Sequence, residues 1–170
     1  QGTMPVSPTF FEATTAMAFE IFRHARVQAA VVEVGLGGRF DATNVLRPPV
    51  GAITSIALDH QEHLGETVEQ IAFEKAGIVK PGMLLVTGLL PDAARRVIER
   101  VVAEAGAGHV RASADVRVES RMIQGRARLT IETPAGRYGP LLLALRGEHQ
   151  IGNALVADIN TATEGSQASQ

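Results

Sequence analysis

The order of apolar and polar residues predicts helices that alternate with strands in the N-terminal part of the chain. Apolar residues recur at helical spacing over residues 9–25, and Thr9 followed by Glu12 is typical of a capping box. Similar patterns predict helices over residues 66–76, which Gly77 would end, and over residues 91–105. Short apolar runs predict buried strands over residues 29–34, 50–57 and 83–87.

Alternating strands and helices favour an α/β fold, with a mostly parallel sheet flanked by helices. After His109 the pattern changes to a period of two residues, which is typical of antiparallel strands with one solvated face. We therefore expect a small antiparallel meander of strands over residues 116–121, 127–132 and 138–145.

The C-terminal residues divide into a helical segment and a polar one. Residues 148–159 predict a further helix, whereas residues 160–170 are small and polar and bury little surface. We expect one domain over residues 1–159, followed by a disordered tail over residues 160–170.

Composition narrows the possible partners. The 170 residues carry a net charge of -2, with no basic excess that would indicate a nucleic-acid partner. No apolar run approaches the roughly 20 residues that a membrane-spanning helix needs, so we expect a cytoplasmic protein without a membrane partner. Because the chain has no cysteine, any metal must be bound by oxygen or imidazole, and this favours magnesium.

Three ionisable residues lie near the ends of predicted strands or on the helix that follows one, where parallel sheets bind ligands. They are Glu33, His60 and Lys75. Each has a simpler interpretation, respectively a hydrogen-bonded carboxylate, an exposed histidine and a cation at a helix C-terminus. The adjacent glycine-rich segment GLGGR fits either a phosphate-binding loop or a plain tight turn, and it lacks the Gly-Lys-Ser/Thr of a P-loop.

Five motifs give the chain a resemblance to a known family. Together they resemble the folylpolyglutamate synthase/dihydrofolate synthase family of the Mur ligase superfamily. In chain order the motifs are TFFE (9–12), VEVGLGGRFDATNV (32–45), TSIALDH (54–60), EKAGIVKPG (74–82) and GEHQIGNA (147–154). The resemblance implies a Mur ligase central domain that binds ATP and magnesium.

The implied reaction is an ATP-dependent ligation. A carboxylate of folate or dihydropteroate would accept the γ-phosphoryl group of ATP, and the amine of L-glutamate would attack the resulting acyl phosphate. In such family members, residues matching Glu33 and His60 bind magnesium, and the residue matching Lys75 is a carbamylated lysine that supplies an oxygen ligand. The resemblance thus assigns His60 and Lys75 catalytic roles.

The resemblance also implies binding residues for the two larger substrates. Thr9, Phe11, Asp41 and Ala42 match positions that line the pterin pocket, and Asn153 matches a position near the ATP adenine. Phe11 has an alternative role in helix packing, although the neighbouring Phe10 could provide that contact.

A complete family member also has a P-loop and a C-terminal α/β domain, and neither pattern is found in this sequence. We therefore expect an incomplete domain that is inactive by itself. Two other functions stay open. One is a non-catalytic nucleotide- or folate-binding domain, and the other is a phosphate-handling enzyme that uses Glu33 and His60 on magnesium.

Overall fold

Two three-stranded sheets form the framework of the computed structural model, which describes residues 7–133, 136–144, 152–154 and 156. One sheet is parallel and the other is antiparallel. The helices are α1 (Phe10–Ala25), a 3-10 helix (Ala42–Val45), α2 (Gln61–Leu64), α3 (Val68–Ala76), α4 (Asp92–Ala105) and α5 (Ala112–Asp115). The strands are β1 (Val50–Ile53), β2 (Leu84–Thr87), β3 (Gly108–Arg111), β4 (Arg117–Ile123), β5 (Arg126–Thr133) and β6 (Gly136–Leu142).

The parallel sheet has the strand order β1-β2-β3 and confirms the predicted α/β fold. Its central strand β2 pairs Leu85 with Gly51 on one side and with His109 on the other. β1 ends four residues earlier than the pattern predicted, and β3 was not predicted at all. Its four residues, GHVR, contain only one strongly apolar side chain, so no buried strand could be recognised there.

Helices α3 and α4 pack with the parallel sheet to form the main core. Ile71 of α3, Leu85 of β2 and Ile98 of α4 are fully buried in one cluster. A capping box of Thr67 and Gln70 fixes the start of α3, because each side chain accepts a hydrogen bond from the other's backbone N–H. This packing fixes the direction of α3, whose last turn carries Lys75.

The antiparallel sheet has the order β4-β5-β6 and confirms the predicted meander. Leu129 and Ile131 of the central strand are fully buried, and Val118 and Tyr138 pack against them. Their alternation along β5 is the period of two residues that predicted the strand.

The predicted buried strand over residues 29–34 is wrong. These residues pair with no strand of the described chain, and the side chain of Val31 is fully exposed. An apolar run becomes a strand only where a neighbouring strand accepts its backbone hydrogen bonds, and the described residues provide no such neighbour. Helix α1 was predicted correctly, with its capping box, yet none of its side chains is fully buried against the described residues.

Two predictions concern residues outside the described chain. The tail predicted over residues 160–170 lies entirely outside the described chain. Of the helix predicted over residues 148–159, only residues 152–154 and 156 are described, and these are helical. Among the described residues, no helix is long and apolar enough to cross a membrane.

Candidate active site

The glycine-rich loop (residues 35–41) closes around the carboxylate of Asp41. Oδ2 accepts hydrogen bonds from the backbone N–H groups of Gly35 and Leu36, both at 3.0 Å. Oδ1 accepts hydrogen bonds from the backbone N–H of Thr43 at 2.9 Å and from its hydroxyl at 2.6 Å. Asp41 thereby caps the 3-10 helix and holds the loop in a turn. Because two loop amides are already used by Asp41, the structure favours the tight turn over a phosphate-binding loop.

These hydrogen bonds set the protonation of Asp41. Burial by itself would raise the pKa of this carboxyl group, but the hydrogen bonds from Thr43, Leu36 and Gly35 outweigh it and lower the pKa below its ordinary value of 3.8. A lowered folded-state pKa means that the charged form stabilises the fold above pH 3.8, and that this contribution is lost as the pH falls through the lower folded value.

We expect Asp41→Asn to lower the free energy of unfolding by about 2 kcal/mol at neutral pH, because an amide cannot accept from all of these donors. Urea unfolding of both proteins at stepped pH would show the difference shrinking once the pH falls below 3.8. Asp92→Asn is a suitable control, since the side chain of Asp92 is 80% exposed and should change stability by less than about 0.5 kcal/mol. A loss at Asp41 that does not depend on pH would contradict this explanation.

The glycine-rich loop packs directly on the C-terminal end of α3. The backbone N–H of Arg39 donates to the carbonyl oxygen of Glu74 at 2.9 Å, and its guanidinium pairs with the Glu74 carboxylate at 2.8 Å. Gly77 follows α3 as predicted, but its φ of -59° is right-handed, so no special backbone conformation requires glycine there. Glycine is required because a Cβ at position 77 would collide with the backbone and Cβ of Arg39.

A cavity of about 260 Å³ lies between the start of α1, the glycine-rich loop and α3. All four residues predicted to bind the pterin line it, from two separate segments of the chain. Phe11 is 42% exposed and its ring lies against Gly35, whereas Phe10 is 86% exposed and lines no part of the cavity. Phe10 therefore does not provide the helix-packing contact that could have replaced the one made by Phe11. The lining residues are Thr9, Phe11, Glu12, Leu36, Gly37, Gly38, Phe40, Asp41, Ala42, His63, Leu64 and Glu74.

Three polar residues of the cavity could not be predicted from the sequence motifs. They are Glu12, His63 and Glu74. Glu12 was assigned only to the capping box, where it accepts hydrogen bonds from the backbone N–H and hydroxyl of Thr9. Glu74 is adjacent to Lys75 in one motif, but its partner Arg39 lies 35 residues earlier, and no local pattern connects the two.

The three predicted metal ligands come from three different segments. Glu33 is exposed just before the glycine-rich loop, His60 is exposed at the start of α2, and Lys75 is half-buried in the last turn of α3. Within the described ranges, no group of three histidine, aspartate or glutamate residues is placed to bind a metal ion. The set suits magnesium only if the amine of Lys75 becomes a carbamate, because a lysine cation cannot ligate a metal.

Asn153 lies away from the cavity, on helical residues beside the parallel sheet. Val156 of the same segment is buried against Val86 and Ala112. A Cβ at Gly88, directly after β2, would lie 3.5 Å from the Val156 side chain. The segment therefore lies next to the carboxyl end of β2, where parallel sheets bind ligands.

Comparison with known proteins supports the family resemblance that the five sequence motifs indicated. The Mur ligase middle domain family matches residues 7–159. Folylpolyglutamate synthase of Lacticaseibacillus casei is 44% identical over 156 residues, which are 91% of this chain and 36% of that protein. Dihydrofolate synthase/folylpolyglutamate synthase of Mycobacterium tuberculosis is 41% identical over 154 residues, which are 86% of this chain and 32% of that protein.

Solved structures extend the similarity to the fold. A folylpolyglutamate synthase complex with AMPPCP and folate has a TM-score of 0.85 at 38% identity, and the match covers 94% of this chain and 40% of that chain. The chain spans about a third of the length of the curated relatives it matches. It belongs to the Mur ligase middle domain family, and it is similar to the folylpolyglutamate and dihydrofolate synthases.

Proposed function

We propose that this chain is part of the middle domain of an ATP-dependent ligase that joins L-glutamate to a carboxylate of folate or dihydropteroate. The observation that carries the proposal is the cavity that Thr9, Phe11, Asp41 and Ala42 line together. Its volume of about 260 Å³ is close to the roughly 300 Å³ at which small-molecule sites begin, so it suits a bicyclic ring and not an entire folate. The solved structure of the relative in complex with AMPPCP and folate supports a nucleotide and a folate as the ligands of this chain.

The residues of the cavity would bind and orient the pterin. The ring of Phe11 offers an aromatic face or edge to the heterocycle. Asp41 contributes mainly by holding the loop, because its carboxylate oxygens already accept four hydrogen bonds. Asn153 would lie near the adenine of ATP, and its amide can both donate to and accept from a purine edge.

The ligation itself has two steps. An oxygen of the substrate carboxylate attacks the γ-phosphorus of ATP, so that ADP leaves and an acyl phosphate forms. The amine of L-glutamate then attacks the acyl carbon, phosphate leaves, and the amine loses a proton as the amide forms. Both steps depend on holding the reacting groups in line and on stabilising negative charge on oxygen.

Glu33, His60 and Lys75 are the residues that would hold magnesium. When bound, the ion would neutralise the charge that develops on the phosphoryl oxygens. Lys75 forms no ion pair with any described residue, so no carboxylate holds its side chain as an ammonium. Its deprotonated amine is the form that would attack carbon dioxide and give the carbamate. A cytoplasmic location remains a prediction of the sequence.

The proposal is tested by turnover. A chimera, in which this chain replaces the matching segment of the L. casei relative, should release ADP over many turnovers only with folate and L-glutamate both present. The chain alone should be inactive, and Glu33→Ala should abolish activity of the chimera. Folate binding without turnover of the chimera would instead favour a non-catalytic domain, and hydrolysis of simple phosphate esters without glutamate would favour a different enzyme. Activity of the chain alone would show that the other segments are not needed.

A further inference from the structure

Arg39 and Glu74 form an ion pair with more contacts than an ordinary surface pair. The guanidinium presents two nitrogens to the carboxylate, with Nη2 2.8 Å from Oε1 and Nε 3.3 Å from Oε2. The guanidinium carbon also lies 4.3 Å from the ring centre of Phe40 and 5.1 Å from that of Phe73. Two parallel hydrogen bonds and two aromatic faces hold the arginine in one orientation, which a lysine could not reproduce.

Backbone contacts at the same point reinforce this pair. Besides the hydrogen bond from the Arg39 N–H to Glu74, the Asn44 amide donates to the carbonyl oxygens of Arg39 at 2.9 Å and of Gly77 at 3.1 Å. The ammonium of Lys80 in turn donates to the Asn44 side chain at 2.7 Å. The glycine-rich loop and the end of α3 are therefore joined by contacts on both sides of Arg39.

The ion pair of Arg39 and Glu74 connects the glycine-rich loop with the C-terminal end of α3. Arg39 lies in the loop that forms one side of the cavity, and Glu74 lines the cavity and precedes Lys75. We propose that Arg39 and Glu74 are positioning residues for pterin binding, which fix the glycine-rich loop against the helix end that carries Lys75. This inference rests on the proposed function. Because both carboxylate oxygens of Glu74 are used by Arg39, Glu74 acts through the loop and not as a direct ligand of the pterin.

A double-mutant cycle separates positioning from direct contact. In the chimera, the dissociation constant for folate is measured by calorimetry without ATP or magnesium, for Arg39→Ala, Glu74→Ala and the double variant. Each single variant should weaken binding about tenfold, and the double variant should also lose about tenfold, because either change breaks the same pair. The charge-conserving Arg39→Lys should bind with intermediate affinity, and it tests the proposal even if Arg39→Ala does not fold.

Arg95 provides a matched control on α4. Its side chain is 39% exposed, against 42% for Arg39, and its guanidinium pairs with the carboxylates of Asp92 and Glu99. Arg95→Ala should leave folate binding unchanged. Additive losses of about a hundredfold in the double variant would make Glu74 a direct ligand and overturn the proposal, as would unchanged binding in the single variants. Failure of the unaltered chimera to bind folate would instead remove the proposed function itself.

Discussion

Gly77→Ala should lower the free energy of unfolding of the chain by about 3 kcal/mol. The backbone at Gly77, with φ of -59° and ψ of -11°, is one that alanine adopts without strain. The loss therefore comes entirely from the collision of the new Cβ with Arg39, whose backbone nitrogen it would approach to 2.8 Å. Backbone atoms cannot move aside as a flexible side chain can, so the glycine-rich loop must separate from α3. Urea unfolding measures the stability, and folate binding by the chimera should weaken in parallel.

Gly106→Ala is the control for this effect. Gly106 ends α4 with φ of +62°, and a Cβ there would meet no atom within 4 Å. Alanine at this position costs only the left-handed conformation, which is about 1 kcal/mol, and folate binding by the chimera should not change. A loss at Gly77 no larger than that at Gly106 would show that the loop does not pack on α3 as closely as described.

Lys75→Ala in the chimera should lower kcat by at least about a hundredfold, because the carbamate would help to hold the magnesium ion that stabilises developing negative charge. Lys75→Arg should be as inactive as Lys75→Ala, although it keeps the positive charge, because a guanidinium does not form a carbamate. The KM for folate should change little in either variant, since Lys75 does not line the cavity. Initial rates at varied folate and magnesium give both constants.

Two observations would separate the carbamate from a simple cationic role for Lys75. A small carboxylate such as formate should partly restore activity to Lys75→Ala by supplying an oxygen ligand, and it should not rescue Lys75→Arg, whose side chain fills the space. The intact protein should also gain mass in the presence of bicarbonate. Full activity of Lys75→Arg would show that a positive charge is sufficient, and it would exclude the carbamate.

The elements that could be predicted from the sequence are those fixed by local chemistry. The Thr9 and Glu12 capping box of α1 is a short-range pattern, and both of its hydrogen bonds are present. The alternating Leu129 and Ile131 of β5 predicted the antiparallel meander for the same reason. In both cases the pattern that makes the prediction spans only a few residues of the sequence.

Predictions failed where structure depends on distant partners. The apolar run over residues 29–34 looks like a buried strand, but among the described residues no neighbouring strand pairs with it. Conversely, β3 is polar enough to be overlooked, and it is a strand because β2 lies beside it. Periodicity describes what a segment could bury and does not show what is present to cover it.

The candidate site likewise has residues that could be predicted from the sequence and contacts that could not. Thr9, Phe11, Asp41 and Ala42 were assigned from motifs, and the structure brings all four to one cavity. The link between Arg39 and Glu74 could not be found in this way, because the two residues belong to different motifs and meet only when α3 packs on the loop. Motifs indicated which residues are candidates for the chemistry, while the contact between Arg39 and Glu74 could be found only from the fold.

The most direct test of the pterin site compares two neighbouring phenylalanines of α1. Folate binding to the chimera is measured for Phe11→Ala and for Phe10→Ala, which remove the same side chain from the same helix. Only Phe11 lines the cavity, so Phe11→Ala should weaken binding by about tenfold and Phe10→Ala should leave it unchanged. Equal losses in the two variants, or a larger loss for Phe10→Ala, would contradict the assignment of this cavity to the pterin.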